Sequence, residues 1–176
     1  LLRWRPIHQH PIRPDAAWRH WLLDAGSLTQ RLIRLSEGDF RVHVLEERWQ
    51  TVPVPRLKGV LPAHLLQQRM WSRKVILLGQ GEPWVLAHSL VPQASLSGPL
   101  RWLPKLENRP LGAFLFRHKQ LHRGVMELAP AQDSWGRRSV FTLQGNPLLV
   151  AEFFLPALIR HVAAGHDVFP ASSSAG

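Results

Sequence analysis

The 176-residue chain contains no cysteine, which excludes disulfides, thiolate nucleophiles and cysteine-ligated metals. No apolar run approaches the ~18 residues a membrane-spanning helix needs, so no membrane insertion is expected. The start, Leu1-Leu-Arg-Trp-Arg-Pro-Ile-His8, has neither an initiating methionine nor the hydrophobic region of a secretory leader. A trimmed start and a cytoplasmic location are the expectations. No basic run of 5–8 residues occurs, although the net charge is +10. The cations are dispersed, as in Arg69 to Lys74 and Arg117 to Arg123, and read as a solvated basic surface that attracts a small dianion. Nucleic acid is not expected as a partner. The ten histidines show no H-E-x-x-H or compact ligand spacing, so no metal is expected. Ser97-Gly98 and Ser134 lack the G-x-S-x-G turn of hydrolases. Gly79-Gln-Gly81 falls short of a dinucleotide fingerprint and sits in a hairpin. Without coiled-coil heptads, a monomer is expected.

What is present suits one globular domain, at 45% hydrophobic residues. The domain is expected over residues 1–165, with a disordered tail over 166–176. Asp15 is placed to cap a short helix that presents Trp18, Trp21 and Leu22 on one face. After the break Asp24-Ala-Gly26, Ser27 and Gln30 form a capping box for a second helix with Leu28, Leu32, Ile33 and Leu35 on its apolar side. From Phe40 the period becomes two, with Phe40, Val42 and Val44 facing one way. Strands are predicted over Met70–Leu78, Trp84–Val91, Gly124–Leu128, Ser139–Leu143 and Leu148–Leu155. Gln144-Gly-Asn-Pro147 joins the last two, and a helix should start at Pro110. The class is α+β, an antiparallel sheet with inserted helices.

Two charges stand where charge is expensive. Glu152 lies inside Pro147-Leu-Leu-Val-Ala-Glu-Phe-Phe-Leu-Pro156, and Arg73 leads into Val75-Ile-Leu-Leu78. An ionised carboxylate among apolar residues needs pairing, hydrogen bonding or protonation. Either residue alone reads as half of a structural ion pair. Together they point to a covered pocket with one guanidinium and one carboxyl, suited to a small anion bearing a hydroxyl. Trp135-Gly-Arg-Arg-Ser139 reads as a turn with two solvated arginines, or else as an anion contact.

Several motifs then occur in order: Gly81-Glu-Pro-Trp84, Val91-Pro92, Leu96-Ser-Gly-Pro99, Pro110-Leu-Gly112 with Leu115-Phe116, Trp135-Gly-Arg-Arg-Ser139, and Glu152 with Phe154-Leu-Pro156. In that order and spacing the chain resembles the bacterial chorismate pyruvate-lyase family from about Trp18 to Pro156. The resemblance implies a six-stranded antiparallel sheet and a buried ligand site under two helical flaps. It implies conversion of chorismate to 4-hydroxybenzoate and pyruvate at the head of ubiquinone biosynthesis, with no cofactor. The family's ligand contacts fall on Arg73, Leu111 and Glu152, and a position commonly methionine falls on Leu28. The N-terminal region departs most from the pattern. The alternatives are a non-catalytic effector-binding domain of the same fold, although no helix-turn-helix pattern accompanies it, and a polyanion binder.

Overall fold

The structure, a computed structural model of the chain, describes residues 2–166. The tail expected to be disordered lies outside the described residues, His166 apart. In chain order the elements are β1 (Arg5–Pro6), α1 (Ala16–Leu22), α2 (Leu28–Leu35), β2 (Phe40–Thr51), α3 (Val54–Leu57), β3 (Arg69–Gly79), β4 (Glu82–Pro92), α4 (Leu111–Phe116), β5 (His122–Arg123), β6 (Glu127–Pro130), β7 (Trp135–Leu143), β8 (Asn146–Phe154) and α5 (Pro156–His161). The stretch Gly98–Lys105, with Pro99 at its start and Pro104 inside it, winds as a 3-10 helix.

One antiparallel sheet organises the molecule, in the order β1-β6-β7-β8-β4-β3-β2, with β5 pairing onto β7. Of its eight strands, β1 and β5 are two residues each. The other six form the expected six-stranded sheet. Hairpins build most of it. At Gln80-Gly81 and Gln144-Gly145 both central residues have positive φ, 51° and 78°, then 50° and 78°. That geometry matches the right-handed twist of the flanking strands.

The N-terminal helices start where their caps place them. Asp15 Oδ1 accepts from Trp18 N at 3.3 Å, and Ser27 Oγ accepts from Gln30 N at 3.3 Å. Leu28, Leu32 and Leu35 recur at the helical period and are buried, whereas Ile33 falls off that stripe and faces solvent.

Alternation along β8 separates two packed faces. Val150 and Phe154 face the side covered by α1, α2, α4 and the 98–105 helix, where two apolar clusters meet. Leu149 faces the other side and packs with Met70, Leu90, Leu57 and Leu61. Trp4 covers Phe153 edge-on at 5.7 Å between centroids. β8 is therefore central and covered on both sides, as its apolar run, interrupted by Glu152, requires.

Candidate active site: a charged cavity under two helical segments

Residues directly opposite in neighbouring strands share a face of the sheet. Arg73 on β3 pairs with Ser89 on β4, and Ser89 with Val150 on β8. One row along, Val75 pairs with Ala87, Ala87 with Glu152, and Glu152 with Arg137 on β7. Arg73 and Glu152 thus stand on one face, two strands and two residues apart, with a Cα separation of roughly 12 Å from standard strand spacings. Their side chains line a cavity with about 630 Å³ of atom-free space, mouth included.

The cavity roof comes from α2 and α4. Leu28 and Thr29 line it from the first, Leu111, Gly112 and Leu115 from the second. Leu28 and Leu111 each open their helix, where backbone N–H groups have no intrahelical partner. All four residues singled out in the sequence, Leu28, Arg73, Leu111 and Glu152, therefore meet in one enclosure.

The charges are more numerous than the expected single guanidinium and single carboxyl. Arg73 is 3% exposed. Its Nη1 donates to Glu47, and its Nη2 donates to the carbonyl of Arg109 at 3.0 Å, just before α4. Arg137 is 2% exposed. Its Nε donates to Glu152 Oε2 at 2.7 Å, and its Nη1 to the carbonyls of Asp24 at 2.6 Å and Trp21 at 3.3 Å. Each buried arginine thus joins a carboxylate on the sheet to the base of one roof segment. A third, Arg123 on β5, also lines the cavity. Burial and the neighbouring Arg137 push its guanidinium down to about 10, while Glu152 and Asp24 hold it up. It remains charged at neutral pH. Burial pushes the Asp24 carboxyl up, but the Gly26 N–H, Arg31 and Arg137 outweigh it and leave the group below its ordinary value.

Three charged neighbours of the candidate site, Glu47, Arg137 and Arg123, stand outside the four residues singled out from the sequence, each for a definite reason. Glu47 was hidden by a β-bulge. The pairing shifts between Val44 and Glu46, so strict alternation from Phe40 assigns Glu46 to the cavity face while Glu47 takes it. Trp135-Gly-Arg-Arg-Ser139, which reads from sequence as a turn or as an anion contact, is instead the start of β7, and the strand buries Arg137. Arg123 was counted with the solvated cations, yet β5 sets it against the cavity wall. The histidines do not converge. Among the described residues no group of three or more His, Asp or Glu is placed to hold a metal ion.

An antiparallel sheet with a buried cavity, lined by guanidinium and carboxyl groups and roofed by short helices, makes an enclosure suited to a small anion. The family model of chorismate lyase matches residues 3–163. The chain belongs to that family. It is 36% identical over 165 residues to the chorismate pyruvate-lyase of Sodalis glossinidius, covering 93% of this chain and 90% of that protein. It is 40% identical over 150 residues to that of Serratia proteamaculans, covering 85% and 83%. Its backbone partly overlays a GntR-family transcriptional regulator from Bacillus cereus, with a TM-score of 0.47 and 11% identity, over 68% of this chain and 93% of that one.

Proposed function

We propose that this chain is a chorismate pyruvate-lyase, releasing 4-hydroxybenzoate and pyruvate from chorismate at the first committed step of ubiquinone biosynthesis. The observation that supports it most is that Arg73 and Glu152 line one cavity, two strands apart, in a member of this family. In this reading the Arg73 guanidinium takes the ring carboxylate. Two of its five N–H donors are engaged by Glu47 and Arg109, which leaves three for a ligand. Glu152 holds the ring 4-hydroxyl through Oε1, while Oε2 stays on Arg137. Leu28 and Leu111 flank the ring from the roof.

The chemistry asks little beyond positioning. The hydrogen at C4 leaves as a proton, and its electron pair forms the C3=C4 bond that aromatises the ring. The C3–O bond breaks with its electrons on oxygen, and the resulting enolate of pyruvate takes a proton at its methylene. The driving force is aromatisation, so the protein's contribution is orientation and charge placement. Glu152, beside the ring hydroxyl, is positioned to exchange a proton at C4 or to fix the hydroxyl. No cofactor is needed for this sequence. Action as a cytosolic monomer belongs to the same proposal. Among the described residues no helix is long and apolar enough to cross a membrane.

Incubation with chorismate tests the reading. Aromatic ultraviolet absorption of 4-hydroxybenzoate should rise with an equal yield of pyruvate. Binding of chorismate without turnover would instead indicate an effector-binding domain.

The roof must open for exchange, and its two parts touch closely. A Cβ added to Gly112 on α4 would lie 2.9 Å from Thr29 Oγ1 on α2, closer than real side chains approach. Release of 4-hydroxybenzoate should therefore be slow, and the product should inhibit. Gly112→Ala should loosen the closed state by about 1 kcal/mol, the low end of overpacking costs, and speed release roughly fivefold. Stopped-flow tryptophan fluorescence checks it. An unchanged release rate would show that the α2–α4 contact does not hold the roof closed.

A further inference from the structure

Chorismate carries two carboxylates, one on the ring and one on the enolpyruvyl group, and only the first remains on 4-hydroxybenzoate. Of the three arginines on the cavity wall, Arg73 is matched by Glu47 and Arg137 by Glu152. Arg123 has no carboxylate partner among the described residues. We propose that Arg123 forms a second carboxylate subsite in this cavity, which takes the carboxylate of the departing enolpyruvyl group. The inference rests on the chorismate reading above and adds to it.

The guanidinium is held in place but left with capacity. β5 sets Arg123 opposite Phe141, and its guanidinium carbon lies 4.9 Å from the centre of that ring. Its Nε donates to Ser139 Oγ at 3.2 Å. Those two contacts fix the plane of the group, while Nη1 is buried with no hydrogen-bond partner. Buried donors are nearly always satisfied, and one that is not calls for an explanation. An acceptor arriving with the ligand supplies it here.

The topology puts this donor where the second carboxylate falls. The strand order runs β3, β4, β8, β7, with β5 paired onto β7, so Arg73 and Arg123 approach the cavity from opposite sides. With the ring carboxylate on Arg73 and the 4-hydroxyl on Glu152, the ether oxygen at C3 is on the next ring carbon to that hydroxyl. The enolpyruvyl group thus leaves the ring near Glu152, away from Arg73. Arg123 donates to Ser139, which lies two residues along β7 from Arg137 and opposite Val150, two residues from Glu152, so its guanidinium belongs to that part of the cavity. Once the C3–O bond breaks, the same guanidinium holds pyruvate and not the aromatic product.

The consequence is a separation of substrate from product affinity. Arg123→Gln should lower kcat/KM for chorismate by about ten- to a hundredfold, the range expected for one charge-assisted hydrogen bond. The loss should lie mainly in KM. The dissociation constant of 4-hydroxybenzoate, read by tryptophan fluorescence, should stay within about twofold of wild type. Arg123→Lys, which keeps the charge but not the planar fork, should recover part of the loss. If Arg123→Gln does not fold, the same comparison is made on Arg123→Lys, with a smaller selective loss of chorismate expected. Unchanged kcat/KM in the folded variant would overturn the subsite. So would a parallel loss of chorismate and 4-hydroxybenzoate, which would place Arg123 on the ring carboxylate or in the framework. Failure of the lyase reading itself has a different signature, because the wild-type protein would then not turn over chorismate at all.

Discussion

Glu152→Gln should abolish most chorismate turnover and also lower the stability of the fold. The two effects have separate causes. An amide keeps the shape and an acceptor oxygen but cannot ionise or exchange a proton as a carboxyl does. If Glu152 moves the C4 proton, turnover falls by about 10²-fold or more. If it only positions the hydroxyl, the fall is nearer tenfold. Stability falls because Arg137 loses its counter-charge while 98% buried. Removing one partner of a buried ion pair costs about 3–5 kcal/mol, and the amide oxygen facing Arg137 Nε recovers part of that. Urea unfolding beside a chorismate assay separates the two effects. A folded Glu152→Gln protein with undiminished turnover would remove Glu152 from any proton transfer.

Arg73→Ala should weaken 4-hydroxybenzoate binding by about ten- to a hundredfold, from the loss of a charge-assisted contact of ~1.5–3 kcal/mol. The structure adds a second route to the same loss. Without the guanidinium, the Arg109 carbonyl is no longer tied to β3, so the α4 part of the roof closes less well. Glu47 becomes unpaired too, but its side chain is 23% exposed, and water offsets part of that cost. Arg73→Lys keeps the charge as a single ammonium, which cannot serve Glu47, the Arg109 carbonyl and a carboxylate in one planar fork. It should lie between alanine and wild type. Isothermal titration with 4-hydroxybenzoate measures both variants, and wild-type affinity in a folded Arg73→Ala protein would exclude Arg73 as the carboxylate clamp.

The fold was readable where local rules act alone. Asp15 and Ser27 mark helix starts, period-two alternation marks β2, and an apolar run marks β8. Glycine-containing pairs mark the two tight hairpins. The Arg137–Glu152 pair was also within reach. A two-residue turn at Gln144-Gly145 pairs residues whose numbers sum to 289, and 137 and 152 do so. That step fails wherever a bulge intervenes, as between Val44 and Glu46, and there Glu47 passed unnoticed. Arg123 was out of reach for another reason. β5 is two residues long, too short for any periodicity, and only its pairing with β7 brings the side chain to the cavity. Short paired segments are held by tertiary contacts, which composition and spacing do not encode.

The central claim is that one aromatic ring lies between Arg73 and Glu152. A crystal structure of the protein grown with 4-hydroxybenzoate measures this most directly. The ring should occupy the cavity, with its carboxylate about 3 Å from the Arg73 guanidinium, its hydroxyl on Glu152, and Leu28 and Leu111 against it. A ring bound outside the cavity, or turned so that its carboxylate lies away from Arg73, would contradict the account.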